Sequence, residues 1–220
     1  LANEAVIDKE NLQEWFDEAR RILVDEGITE LSLRKLSASL GVTTGYFYRR
    51  YRNFEEFLDA FREYWASMGI LPFNTIYKDN SLSPLRQYLA HARGLTLEDR
   101  FDYKFDMAIR DWAGSSEKTR AIMETVENQR ILLIANSLEG LGYSAKEAKV
   151  RGRTSYLHQT GYQAMRISEP LNERLDNLRY YAKILTGFDV FAGCKTTSDI
   201  KQVLSNGVPL FGDDHSAPKA

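Results

Sequence analysis

Residues 31–58 read Leu31-Ser-Leu-Arg-Lys-Leu-Ser-Ala-Ser-Leu-Gly-Val-Thr-Thr-Gly-Tyr-Phe-Tyr-Arg-Arg-Tyr-Arg-Asn-Phe-Glu-Glu-Phe-Leu58. Ser32 can cap a helix whose apolar positions Leu33, Leu36 and Leu40 recur every three or four residues, and Gly41 can end it. After Val42, Thr43 or Thr44 can cap a third short helix running through Tyr48. Asn53 restarts the chain, and Glu56 three residues on completes a capping-box pattern for a fourth helix along Phe54, Phe57, Leu58, Phe61, Trp65 and Met68. Upstream, Leu12, Trp15, Phe16, Ala19, Ile22 and Leu23 form one helical stripe stopped by Gly27, which gives helix one. Two short helices joined by a tight glycine turn are a helix-turn-helix arrangement, in which the second lays its first residues against base edges in the major groove.

Charge sharpens that reading. The chain of 220 residues has a net charge of −2, yet residues 31–52 carry Arg34, Lys35, Arg49, Arg50 and Arg52 and neither Asp nor Glu. In the helix-turn-helix arrangement Thr43, Thr44, Gly45, Tyr46 and Tyr48 face DNA, while Phe47 and Tyr51 turn inward. Arg49, Arg50 and Arg52 follow where the chain reaches the phosphate backbone, and Ser32 and Arg34 at the start of helix two complete the candidate DNA-contacting set. Gly45 inside a helix costs roughly 1 kcal/mol relative to alanine, which makes sense where a phosphate or a thymine methyl must come close; easier packing or a kink would also account for it.

The same residues resemble the DNA-binding signature of TetR-family transcriptional regulators. The Leu-Gly-Val turn, the spacing to Gly45, the Phe47-Tyr48 pair, Tyr51, and Asn53 followed by Glu55-Glu56-Phe57-Leu58 fall in that family's order, over roughly residues 8–65. Two positions depart from it: the family usually has His where Arg50 stands, and a phosphate-contacting Lys where Phe54 stands. The first change adds charge and the second removes a backbone contact, which Arg52 and the free N–H groups opening helix four can replace.

Beyond Met68, Gly69, Pro72 and the polar run Lys78-Asp79-Asn80-Ser81 read as a boundary region. Ser83-Pro84 opens a fifth helix, and Phe105, Ala108, Ile109 and Trp112 form the stripe of a sixth that Gly114 stops. A seventh runs from about Glu117 to Leu141, an eighth opens at the Ser144/Glu147 capping box and reaches about Ile167, and a last long helix runs from Pro170 to about Ala192. With no strand signals, the expected fold is all-α: a helix-turn-helix domain at 1–53, a helical domain at 54–194, and a tail at 195–220 with a short helix around Asp199 to Leu204. The last long helix shows two apolar stripes, Leu171, Leu175, Leu178, Ala182 and Leu185 on one side and Tyr181, Ile184, Phe188 and Phe191 on the other, and so asks for two partners. One of them can be a second copy; burial of both faces within one subunit is the alternative.

The resemblance implies a homodimer built on the last two long helices, a double-stranded DNA operator, and a small-molecule effector held in the larger domain. Trp65, Met68, Phe105, Ile109, Trp112, Met123, Tyr156, His158 and Tyr162, together with Phe101, Tyr103 and Val126, are candidates to line that pocket, although aromatic residues at helical spacing commonly just pack. Phe105 to Ala113 also resembles a stretch found in many regulators of this family. The function expected is a repressor released from a palindromic operator by its effector. The alternative is a DNA-binding dimer without a ligand, whose larger domain serves only dimerisation or protein contacts.

Other classes find little support. With 43% hydrophobic residues, five prolines and fourteen glycines, the composition is that of a globular chain, and no stretch approaches the roughly 18 consecutive apolar residues of a membrane span. One cysteine, Cys194, and three scattered histidines offer neither a disulfide framework nor a metal set, so a cytoplasmic location is expected and no metal. Leu1 to Ala5 lack the character of a signal peptide, and the non-methionine start reads as a trimmed end. No cofactor motif occurs, and no nucleophile, base and orienting group can be assembled, so an enzyme is not expected.

Overall fold

A computed structural model of the chain describes residues 2–97 and 101–206. The fold is all-α: among the described residues the elements are α1 (Ala2–Glu26), a 3-10 turn (Ile28–Glu30), α2 (Leu33–Ser39), α3 (Thr44–Phe47), α4 (Phe54–Tyr77), α5 (Pro84–Thr96), α6 (Tyr103–Ala113), α7 (Glu117–Gly140), α8 (Ala145–Ala164), α9 (Leu171–Thr186) and α10 (Thr197–Asn206). None of these helices is long and apolar enough to cross a membrane.

The caps follow the sequence signals. Ser32, Ser83, Asp102 and Ser144 each accept a backbone N–H three residues on, from Lys35, Phe105 and their equivalents, at 3.2–3.4 Å. Asn53 caps α4 by accepting Glu56 N–H at 2.9 Å, but Glu56 reaches back one residue further than a capping box requires and accepts the Arg52 N–H at 2.8 Å.

Two helix ends differ from the sequence reading. α4 runs on through Gly69 and Pro72 to Tyr77, because Phe73, Ile76 and Tyr77 bury their side chains and this outweighs the hydrogen bond Pro72 cannot donate. α9 stops early, at Gly187, whose φ of 76° closes the helix with an N–H to Lys183 O bond of 2.8 Å. Phe188 and Phe191 therefore lie beyond α9, buried in the core, and are not part of a second helical stripe. Residues 197–206 form α10, with Ile200, Val203 and Leu204 buried.

Contacts group the described residues into two compact units, with limits unlike the division at residue 53 read from sequence. The first comprises the chain to Gly69 and Asp102–Thr125; the second comprises Ile70–Phe101 and the described residues from Val126 on. In the first, Phe57 sits at the centre of an aromatic core, with ring centroids 5.7 Å from Phe16, 5.8 Å from Phe47 and 6.1 Å from Phe61. α6 joins this core through Phe105, 5.3 Å from Phe61, and through an ion pair between Arg20 of α1 and Asp102, the α6 cap. In the second unit, α7 and α8 approach closely at Gly152, where a Cβ would meet Ile131 O and Ala135 N at 3.1 Å. Leu89, Ile134, Leu138 and Leu175 fill the core beside them.

Candidate nucleic-acid interface and candidate ligand cavity

Four residues make α3, too few to hold an orientation by hydrogen bonding alone. Phe47 supplies the anchor: only 2% exposed, it packs 5.5 Å from Trp15, 5.3 Å from Tyr51 and 5.8 Å from Phe57. Gly41, at φ 67°, turns the chain from α2 into α3, and Val42 N–H bonds Ser37 O at 3.0 Å across the turn. With Phe47 plugged inward, the rest of α3 faces out. Thr43, Thr44, Gly45, Tyr48, Arg49 and Arg50 are exposed, and Tyr46 is half-buried with the Arg49 guanidinium 5.9 Å from its ring centre.

Gly45 lies open in that face. The nearest atom to a Cβ built there is Thr43 Oγ1 at 3.8 Å, ordinary van der Waals contact, so nothing inside the protein requires a bare backbone at this position. Thr43 flanks α3 as its N-cap residue but makes no side-chain capping bond. Arg34 and Arg52 are exposed, Arg52 by 89%, with its guanidinium 3.3 Å from Glu56; the Arg52 backbone N–H first, and then this guanidinium, hold the Glu56 carboxyl below the usual range. Lys35 points away, engaged by Glu26 and, at 3.0 Å, by Glu30; Ser32 is half-buried and spent on capping α2. Phe54 stacks on Phe57 at 5.7 Å, so this half-buried position extends the aromatic core.

The nine candidate pocket residues divide between the two units. Trp65, Phe105, Ile109 and Trp112 are buried in the core of the first unit, where Met68 is exposed and Met123 half-buried. Tyr156, His158 and Tyr162 belong to the second unit. Of the nine, His158 and Tyr162 line a cavity of the second unit, about 50 Å3 between α5, α8 and α9; Tyr156 is buried and bonds Glu127 at 3.3 Å. Phe101 instead packs 4.9 Å from the buried Arg130 guanidinium, which Phe73 flanks at 5.4 Å.

The cavity walls mix rings with polar groups. From α5 come Tyr88, whose phenol burial pushes up to about 12 while Ser155 hydrogen-bonds it, and His91, which burial and the Arg130 charge push down to about 4. His158 on α8 lies with its ring 4.2 Å from that of Tyr181 on α9; burial lowers its pKa, and its buried Nε2 has no hydrogen-bond partner. Tyr162 donates its hydroxyl to Glu169, and burial followed by that carboxylate raises its pKa. Thr96 and Arg174 also contribute, neither of them singled out from sequence, since a cavity between three helices leaves no local pattern. Among the described residues no cluster of His, Cys, Asp and Glu could hold a metal ion. Compared with known proteins, the chain matches no family model, and no curated sequence is significantly similar to it.

Proposed function

We propose that the chain is a dimeric, sequence-specific DNA-binding transcriptional regulator, a repressor that leaves a palindromic operator when a small molecule binds. The observation that carries the reading is the outer face of α3. A helix plugged by Phe47 presents Thr44, the bare backbone of Gly45 and Tyr48, with Arg34, Arg49, Arg50 and Arg52 exposed on α2 and just beyond α3. That combination suits a helix entering the major groove: uncharged groups for base edges, cations for phosphates, and a gap where the backbone approaches DNA. The TetR-like order of residues 31–58 supports the same assignment.

Dimerisation is supported by the apolar groups that α8 and α9 leave uncovered. Val150, Leu157 and Met165 recur along one side of α8, and Tyr180 and Ile184 along α9, all exposed. A second copy covering these residues gives a two-fold protein, and a two-fold protein reads two half-sites. Control by an effector needs only about 1–3 kcal/mol of coupling, which changes operator affinity roughly 5- to 150-fold. α4 contributes residues to both compact units, which makes it the element such coupling would use.

The test is selection of bound sequences from a random duplex pool by the purified protein at moderate salt. Enrichment of a palindromic consensus is the expected result. A folded protein that enriches no sequence would sink the assignment.

A further inference from the structure

The cavity among α5, α8 and α9 contains a polar atom with nothing to bond. His158 Nε2 is buried and has no hydrogen-bond partner, an arrangement that ordinarily costs stability and marks a group awaiting one. Around it lie the rings of Tyr181 at 4.2 Å and Tyr162 at 6.0 Å, and the apolar side chains of Leu178 and Leu185. Two opposite charges are close by and already engaged. Glu169 accepts from the Tyr162 hydroxyl and, at 3.4 Å, from Asn177, while Arg174 lies 5.4 Å over the Tyr162 ring and donates to Leu95 O at 2.7 Å. Glu169 lies behind Tyr162 and is not part of the cavity wall, and Arg174, which is, already donates to Leu95 O and covers the Tyr162 ring, so no charge is left to pair with a ligand and the site favours an uncharged molecule.

Burial lowers the His158 pKa and so favours the neutral ring, in which Nε2 is either an acceptor or a donor according to tautomer. A hydroxyl satisfies both cases, whereas a carbonyl satisfies one. The cavity is small, about 50 Å3, and not closed: His158, Gln159 and Tyr181 are only half-buried, so it opens at the surface and a compact molecule can bond Nε2 inside while the rest of it fills the mouth. We infer that this cavity is a ligand site for a small uncharged molecule with a hydroxyl on a single aromatic ring, the hydroxyl bonded to His158 Nε2 and the ring among Tyr162, Tyr181 and Leu178. Its role as effector rests on the regulatory reading above; the binding itself does not.

Calorimetric titration of the full chain with phenol, toluene and benzoate tests it. Phenol is expected to bind saturably at one site, with toluene and benzoate at least about fivefold weaker, the range one hydrogen bond supplies. His158→Phe is expected to abolish the preference for phenol over toluene, and His158→Gln to keep part of it; a thermal melt of each variant shows that it folds. Equal affinity for phenol and toluene in the wild-type chain, an unchanged preference in His158→Phe, or no saturable phenol binding overturns the site. Bound phenol that leaves affinity for the selected duplex unchanged supports the site and overturns release by ligand.

Discussion

Gly45 separates a structural from a functional role for one residue. Inside a helix a glycine costs up to about 1 kcal/mol relative to alanine, and the nearest atom to an added Cβ is 3.8 Å away, so Gly45→Ala removes a cost without creating a clash. The variant is expected to melt at the same temperature or slightly higher, and to bind its selected duplex at least about tenfold more weakly, because the methyl group occupies the gap where DNA approaches. Loss of stability together with binding would make Gly45 a packing residue; binding left intact would remove it from the interface. Single residues of this kind were the most legible part of the sequence. Ser32, Gly41 and Asn53 announce themselves because caps and turns depend on the side chain or backbone freedom of one position. His158 was legible as a candidate, but its missing partner was not, since that depends on what three helices fail to place beside Nε2. Buried Arg62 and Arg130 gave no signal at all: arginine is read as exposed unless the groups that cover it are known, and those groups, Thr119 and Trp112 for Arg62 and Phe73 and Phe101 for Arg130, lie far along the chain.

At the scale of the element, α4 is held in the first unit by Arg62. Its side chain is 4% exposed, bonds Asp59 at 2.6 Å and Glu55 at 2.9 Å, donates Nε to Thr119 of α7 at 3.0 Å, and lies 4.4 Å over the Trp112 ring of α6. One planar cation thus ties three helices. Removing it uncovers the Trp112 face and takes one of the two bonds of the Thr119 hydroxyl, which keeps Ser116 at 2.9 Å, while Asp59 keeps Lys118. Arg62→Ala is therefore expected to cost about 2–3 kcal/mol, below the usual cost of breaking a fully buried pair. Arg62→Lys recovers only part of this, since an ammonium cannot stack and fork at once. Urea unfolding of the three proteins measures the difference, and a loss under 1 kcal/mol for the alanine variant would show that the helices are held by their apolar contacts alone. Elements were also where local reading failed. Pro72 is a breaker by every local rule, yet α4 passes through it because Phe73, Ile76 and Tyr77 find burial further on. Gly187 carried the opposite signal, a stop inside an apolar run, and the periodicity of Phe188 and Phe191 masked it. α6 groups with α1 through Arg20 and Asp102, a pairing across 82 residues that no window of sequence contains.

For the whole molecule, the shortened α9 changes which residues can form an interface. Phe188 and Phe191 are spent in the core, so a second copy would have to meet Tyr180 and Ile184 on α9 together with Val150, Leu157 and Met165 on α8. A stable dimer buries about 1,200–2,000 Å2 in total, and apolar groups of this size spread along two adjacent helices are the means to reach it. Leu157 is 57% and Ile184 69% exposed, so neither supports the fold of the single chain. Leu157→Glu with Ile184→Glu should then leave helicity and melting temperature nearly unchanged while placing two like charges per copy in the proposed interface. At about 10 μM the double variant is expected to sediment as a monomer where the wild type sediments as a dimer. The same change should weaken binding to the palindromic duplex by at least about 100-fold and leave affinity for an isolated half-site within about twofold, because two linked contacts become one. A double variant that stays dimeric places the interface elsewhere. One that becomes monomeric yet binds the palindrome as tightly as before removes the two-fold reading of DNA while leaving the outer face of α3 as a contact surface.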